Sequence, residues 1–248
     1  MKEELECTGK PQPVAIFTTT HWSVVLNAVE TARPGADKAL GQLCEIYWYP
    51  LYVYVRRQGY NPDDAKDLTQ EFFSRLLAGN YLRTIDRKKG KFRSFLLAAM
   101  EHFLAKHWRD SHRLKRGGGH SIISLDQDPE SRYQIEPAQD ATPECMFERR
   151  WAFTLIEQAL RQLREEFAGA KKLLLFEALV PFLSGDRPDL TYAQVGKLLD
   201  LTEGAVKVAV HRLRARYGEL VRAEISRTVA SPDEVDAELR YLLAVISR

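Results

Sequence analysis

The sequence predicts an all-α protein of two helical domains joined by a flexible acidic linker. Three observations carry this. Nowhere in the 248 residues do apolar and polar side chains alternate as they would in a half-buried strand. Apolar residues instead return every third or fourth position, segment after segment. Several of these segments also open on helix-start signals: Asn61-Pro62, Thr142-Pro143 and the pair Thr191/Gln194 each set a capping side chain before a first turn. Between the two groups, residues 117 to 141 hold a triple glycine, Pro129, Pro137 and an acidic polar run, the composition of an extended linker.

Composition bounds the function classes. Hydrophobic residues make up 45% and charged residues 28% of the chain, enough for a packed core and incompatible with general disorder. The net charge is only +2, so any case for nucleic acid must rest on local clusters. Cys7, Cys44 and Cys145 lack CxxC spacing and read as reduced thiols, with neither a zinc site nor a disulfide frame. No apolar run is long enough for a bilayer, and MKEELECTGK has no signal-peptide core, so a cytoplasmic protein without membrane association is expected.

Taken in order, residues 1–20 form a loose polar tail, and a short helix follows Trp22. Lys38 to Arg57 is helical, with Leu40, Leu43, Tyr47, Leu51 and Tyr54 on one side, and Pro50 should kink or break it. Its aromatic run YWYPLYVY reads as core rather than as a base-stacking platform. Asn61 and Pro62 open a helix to Leu77 whose Leu68, Phe72 and Leu76 face inward. Asp64, Asp67, Gln70, Glu71 and Ser74 remain outside, either simply solvated or as a docking surface for a basic protein partner.

Phe92 to about Arg113 is a long helix with Leu96, Met100, Phe103 and Leu104 on one face. A second face carries His102, Lys106, Arg109 and Arg113 at i, i+4, i+7 and i+11. Cations on one side of an amphipathic helix, with aromatics beside them, suit phosphates and unstacked bases. After the linker, Thr142 caps a helix to about Ala168 that carries Phe147, Trp151, Leu155 and Leu163. An apolar helix spans Lys171 to Leu183, and Ser231-Pro232 starts a last one bearing Val235, Leu239, Leu242 and Ile246.

The stretch LTYAQVGKLLDLTEGAVKVAVHRLRARY, Leu190 to Tyr217, holds two helical patterns around the brief junction Asp200-Leu201. Thr202 is a good N-cap for the second, in which Val206, Val210, Leu213 and Tyr217 form one apolar stripe beside Lys207, His211 and Arg214. A short helix, a tight turn and a second helix with cations next to its buried face is the build of a helix-turn-helix that reads the major groove. No catalytic constellation, metal site or cofactor site is expected: the triple glycine is followed by no GK[ST], and His102 and His107 do not fit HExxH.

Three of these stretches together resemble the extracytoplasmic-function type of bacterial RNA polymerase sigma factor. DAKDLTQEFFSRLL is similar to that family's DxxDLVQETF. KFRSFLLAAMEHFLAKHWRD resembles its promoter-melting helix, FRAWL…ARNLALDWLRR, and the two-helix stretch resembles LSYEEIAEILGISVGTVKSRLHRARRRL. The resemblance covers about Lys38–Arg116 and Glu144–Leu220 in the family's order. It implies a region 2-like bundle at 21–116, a linker at 117–141 and a region 4-like helix-turn-helix domain at 142–228, with a helical extension at 229–248.

The resemblance also implies roles. Asp67, Gln70 and Glu71 match the acidic helix that docks on the clamp helices of the polymerase's largest subunit, and the polymerase flap is a further contact. Arg93, His102, Lys106, Arg109 and Arg113 match the region facing the minus-ten element, where a flipped base is captured. Thr202, Gly204, Lys207, His211, Arg212 and Arg214 fall in the recognition helix at the minus-thirty-five element. Partners would be core polymerase and promoter DNA, with an inhibitory protein or the chain's own tail as a further candidate. Val208 and Ala209 replace the family's usual Ser and Arg, while the helix Lys171–Leu183 and the tail are additions assigned to intramolecular packing or regulation, with packing favoured. The competing readings are a stand-alone helix-turn-helix regulator, which leaves DLTQE unexplained, and a nuclease, for which no carboxylate cluster is visible.

Overall fold

The computed structural model describes residues 36–77, 91–111, 128–134, 141–183, 190–229 and 232–247. Among these every regular element is helical. The helices are α1 (Ala36–Arg57), α2 (Pro62–Leu77), α3 (Phe92–Ser111), α4 (Pro129–Gln134), α5 (Pro143–Gly169), α6 (Leu173–Leu179), α7 (Tyr192–Leu199), α8 (Glu203–Ser226) and α9 (Val235–Ile246). Short 3₁₀ turns occupy Val180–Phe182 and Pro232–Glu234. The expected tail at 1–20 and the helix after Trp22 lie outside the described residues. The chain divides into two compact units, one of Met1–Thr154 with Ser226–Arg248 and one of Leu155–Ile225, so both α5 and α8 cross a boundary.

In the first unit α1 runs through Pro50 without the expected break. A proline inside a helix costs about 3 kcal/mol, but residues 46 to 55 are all buried. Burying several of their large side chains, at roughly 1.5–3 kcal/mol each, outweighs that penalty. The same packing makes the aromatic run core: Trp48 stacks on Tyr52 at 5.5 Å, and Tyr47 meets Phe92 edge-on at 5.3 Å. Asn61 caps α2, its Oδ1 accepting from the Asp64 amide at 2.8 Å. Leu68, Phe72 and Leu76 turn inward as expected, and α3 buries Leu96, Met100, Phe103 and Leu104, with the Phe103 ring 5.8 Å from that of Phe72.

The linker is not extended throughout. Within it Asp128 accepts from the Ser131 amide at 3.1 Å and Pro129 begins α4, a capping signal that the polar composition masked. Glu130 then receives hydrogen bonds from Arg56, at 2.8 and 2.9 Å, and from the Tyr52 hydroxyl at 2.7 Å. The Arg56 guanidinium also lies 4.6 Å from the centre of the Tyr133 ring.

The tail helix α9 belongs to the first unit. Its buried side is rotated from the expected stripe: Glu238, Leu242 and Val245 are buried, whereas Val235, Leu239 and Ile246 are half-buried. Of the described cysteines, Cys44 is a free thiol that burial pushes up to about 11. Cys145 is disulfide-bonded, contrary to the expectation of reduced thiols.

In the second unit the expected helix Lys171–Leu183 is two pieces, α6 and the 3₁₀ turn Val180–Phe182, because Pro181 cannot donate to a continuing α-helix. Phe182 stacks on Tyr192 at 4.8 Å, which joins this extra segment to α7. The outer end of α8 is tied to α5 by Arg216, which donates to Glu166 at 2.7 and 2.9 Å, and by the Tyr217 hydroxyl, which donates to the Ile156 carbonyl at 3.4 Å.

Candidate nucleic-acid interface

On α2, Asp67 is exposed, while Gln70 and Glu71 are half-buried. Glu71 pairs with Arg75 one turn on. The Gln70 amide nitrogen is shielded from solvent and makes no hydrogen bond. The inward anchors Leu68 and Phe72 hold these three positions in place from the opposite side of the helix.

On α3, His102, Lys106 and Arg109 are all exposed on one face. The Arg109 Nε donates to the Ala105 carbonyl at 3.1 Å, which steadies the guanidinium along the helix. Arg113 lies outside the described residues. A further face of α3, with Glu101 and Trp108, lines a cavity of about 400 Å³ together with Tyr54, Tyr60 and Glu144. Partial burial and the facing Glu144 carboxylate push the Glu101 carboxyl above its ordinary value. Two carboxylates repel phosphate, so the cationic stripe rather than this cavity is the face suited to nucleic acid.

Arg93 does not join that stripe, which corrects the expectation from sequence. It is 3% exposed. Its Nε donates to Glu148 at 2.8 Å, its Nη1 donates to Glu238 of α9, and its guanidinium lies 4.1 Å from the centre of the Trp151 ring. Lys91 pairs with the same Glu238. Burial lowers the pKa of Arg93, but Glu148 and Glu238 outweigh it and hold the group above its ordinary value, so it stays charged. At the helix's first turn the side chain points into the bundle, where its charge is neutralised, and away from solvent.

The helix-turn-helix is built as its residues dictate. The Gln194 amide donates to Thr191 Oγ1 at 3.3 Å and the Thr191 amide to Gln194 Oε1 at 2.8 Å, a complete capping box. Asp200 ends α7 in the left-handed region, with φ 55°, so the Leu201 amide can reach the Gly196 carbonyl at 2.8 Å. A Cβ at Gly196 would lie 2.6 Å from the Leu201 carbonyl oxygen, so only glycine permits so tight a turn. Thr202 Oγ1 accepts from the Ala205 amide at 3.2 Å and opens α8.

Val206, Val210 and Leu213 are buried, which turns Gly204, Lys207, His211 and Arg212 outward, all exposed. Lys207 pairs with Glu203 at 2.7 Å, and that hydrogen bond raises its pKa, so it stays charged. Arg214 is exposed as well but makes an internal contact. Its Nε and Nη2 donate to the Phe182 carbonyl at 3.0 and 2.6 Å, so this guanidinium ties α8 to the segment before α7.

A family model described as ECF sigma factor matches residues 23–222. The chain is an ECF sigma factor. It is also 24% identical over 229 residues to the ECF RNA polymerase sigma factor SigE of Mycolicibacterium smegmatis, across 92% of this chain and 74% of that protein. No solved structure shows significant similarity. Like other ECF sigma factors the chain is not an enzyme: it joins core RNA polymerase and directs promoter-specific transcription. Among the described residues no three His, Cys, Asp or Glu side chains form a metal site, and no helix is long and apolar enough to cross a membrane.

Three residues of this sigma factor that its sequence did not single out position the rest. Glu238 reads as the polar edge of an amphipathic helix, and only the presence of Lys91 and Arg93 across from it explains its burial. Arg216 looks like one more surface cation. Gly196 carried the only available signal, a glycine in the middle of the first helix of a helix-turn-helix.

Proposed function

We propose that this sigma factor divides its contacts among three separate surfaces. Asp67, Gln70 and Glu71 meet the clamp helices of the largest polymerase subunit. The exposed Asp67 and the partly exposed Glu71 support this, because they give the outer side of α2 an acidic face that suits a basic partner. His102, Lys106 and Arg109, continued by Arg113, face the minus-ten element. Thr202, Gly204, Lys207, His211 and Arg212 face the minus-thirty-five element, with the polymerase flap as the second unit's protein contact. Arg93 and Arg214 are left out, since their guanidinium groups are engaged inside the chain.

The observation that carries this reading is the outward set Gly204, Lys207, His211 and Arg212, held in register by a buried stripe and a glycine-dependent turn. Holding a base out of the stack costs a few kcal/mol, and stacking on protein returns about 1–3 kcal/mol per base. Polymerase contacts supply the remainder and set the spacing of the two DNA readers. The protein acts in the cytoplasm, where polymerase and promoters are, and α9 serves packing.

The test is a pull-down of core polymerase with the purified chain. Alanine at Asp67 and Glu71 weakens the association while the circular dichroism spectrum stays helical. Unchanged polymerase affinity in that variant would remove the assigned docking surface.

A further inference from the structure

Along α8 the apolar side chains Val206, Val210, Leu213, Leu220, Val221 and Ile225 are buried, and Val208 stands apart at 51% exposed. A lone exposed valine needs no explanation in itself. Its position does. Gly204, Val208 and Arg212 stand one turn apart in a single outward column, beside the column of Lys207 and His211. A β-branched side chain is a poor helix former at an exposed site, so neither the core nor the helix accounts for it.

Gly204 repeats the pattern. A Cβ there would meet nothing within 4 Å, and its φ is not in the left-handed region, so neither packing nor backbone geometry demands glycine. Glycine also weakens a helix. The two positions together leave a low, uncharged gap in the outward face, bounded by Lys207, His211 and Arg212.

Such a gap fits one feature of the major groove. The thymine C5 methyl is the apolar group that a base edge presents there, and a helix with no side chain at Gly204 can approach that edge closely. We infer that Val208 is a specificity-determining residue that selects a thymine in the minus-thirty-five element by packing on its methyl group. Lys207, His211 and Arg212 then serve the phosphates and polar base edges around it. This rests on the proposed reading of α8 as the helix that enters the minus-thirty-five groove.

The experiment uses holoenzyme made from the full chain and core RNA polymerase. A duplex library randomised upstream of the start site yields the preferred element. Each thymine in that element is then replaced singly by deoxyuridine, which removes only the methyl. With the wild-type chain one replacement lowers binding about fourfold, the effect of exposing one buried methyl, ~0.8 kcal/mol. With Val208→Ala, a change at an exposed site that leaves the fold intact, the same replacement has no effect. Tolerance of every deoxyuridine by the wild type, or equal sensitivity of Val208→Ala, overturns the inference while a selected element still upholds the groove reading. A library that returns no preferred element overturns both.

Discussion

Glu238→Ala should destabilise the first unit by about 3 kcal/mol, the lower end of the 3–5 kcal/mol range for breaking a buried ion pair. The magnitude follows from what is left behind. Arg93 and Glu238 are each 3% exposed. Removing one carboxylate leaves a buried guanidinium with Glu148 at 2.8 Å and the Trp151 ring at 4.1 Å, which is why the lower end applies. Lys91 loses its partner too, but it reaches solvent and adds little.

For a unit of this size 1 kcal/mol moves the melting midpoint by roughly 2–4 °C, so a drop of about 6–12 °C is expected. Tryptophan fluorescence follows it directly, because Trp151 lies under Arg93. Glu238→Gln keeps the shape and one acceptor and should lose less. A Glu238→Ala midpoint equal to that of the wild type would refute the assignment of α9 to the core of this unit.

The same pair predicts an acid limb. Burial alone would raise the Glu238 carboxyl, but Arg93 and Lys91 outweigh it and hold the group below its usual value of 4.5. A carboxylate depressed on folding contributes stability that is complete above the unfolded value and is lost as pH falls through the folded one. The wild type should therefore lose stability below about pH 4.5, and Glu238→Gln should lose less over that range, by urea unfolding at stepped pH.

Gly196→Ala drives a methyl into the Leu201 carbonyl and should cost roughly 1–3 kcal/mol, with loss of minus-thirty-five binding by fluorescence anisotropy. Arg214→Ala should lower the stability of the second unit, since it frees the Phe182 carbonyl, and should leave the salt dependence of DNA binding unchanged; a shallower salt slope would return Arg214 to the phosphate contacts. Glu130→Ala should release α4 from Arg56 and Tyr52, seen as faster amide exchange at residues 131–134, with a stability loss of about 1–2 kcal/mol.

Local chemistry was legible wherever a short stretch contains its own cause. The capping box at Thr191/Gln194, the Asn61 cap and the inward faces of α2 and α3 all rest on interactions within four or five residues, so spacing reveals them. Pro50 shows where such reasoning fails: a breaker by local rules, it is overridden by buried aromatics that act through the tertiary core. The linker shows the same in reverse, because the acidic composition of 117–141 concealed a helix that Arg56 and Tyr52 hold from far along the chain.

The candidate site divides along that line. Composition, motif order and helical period determined the all-α class, the family and the outward faces of α3 and α8, since each depends on periodicity along one chain segment. Tertiary structure alone decided that Arg93 is buried and that Arg214 is held by the Phe182 carbonyl, for a cation's role depends on what stands opposite it. Glu238 lies 145 residues from Arg93 and the Phe182 carbonyl 32 from Arg214. No periodicity in the sequence reports a contact across that separation, because it is made by the packing of one helix against another.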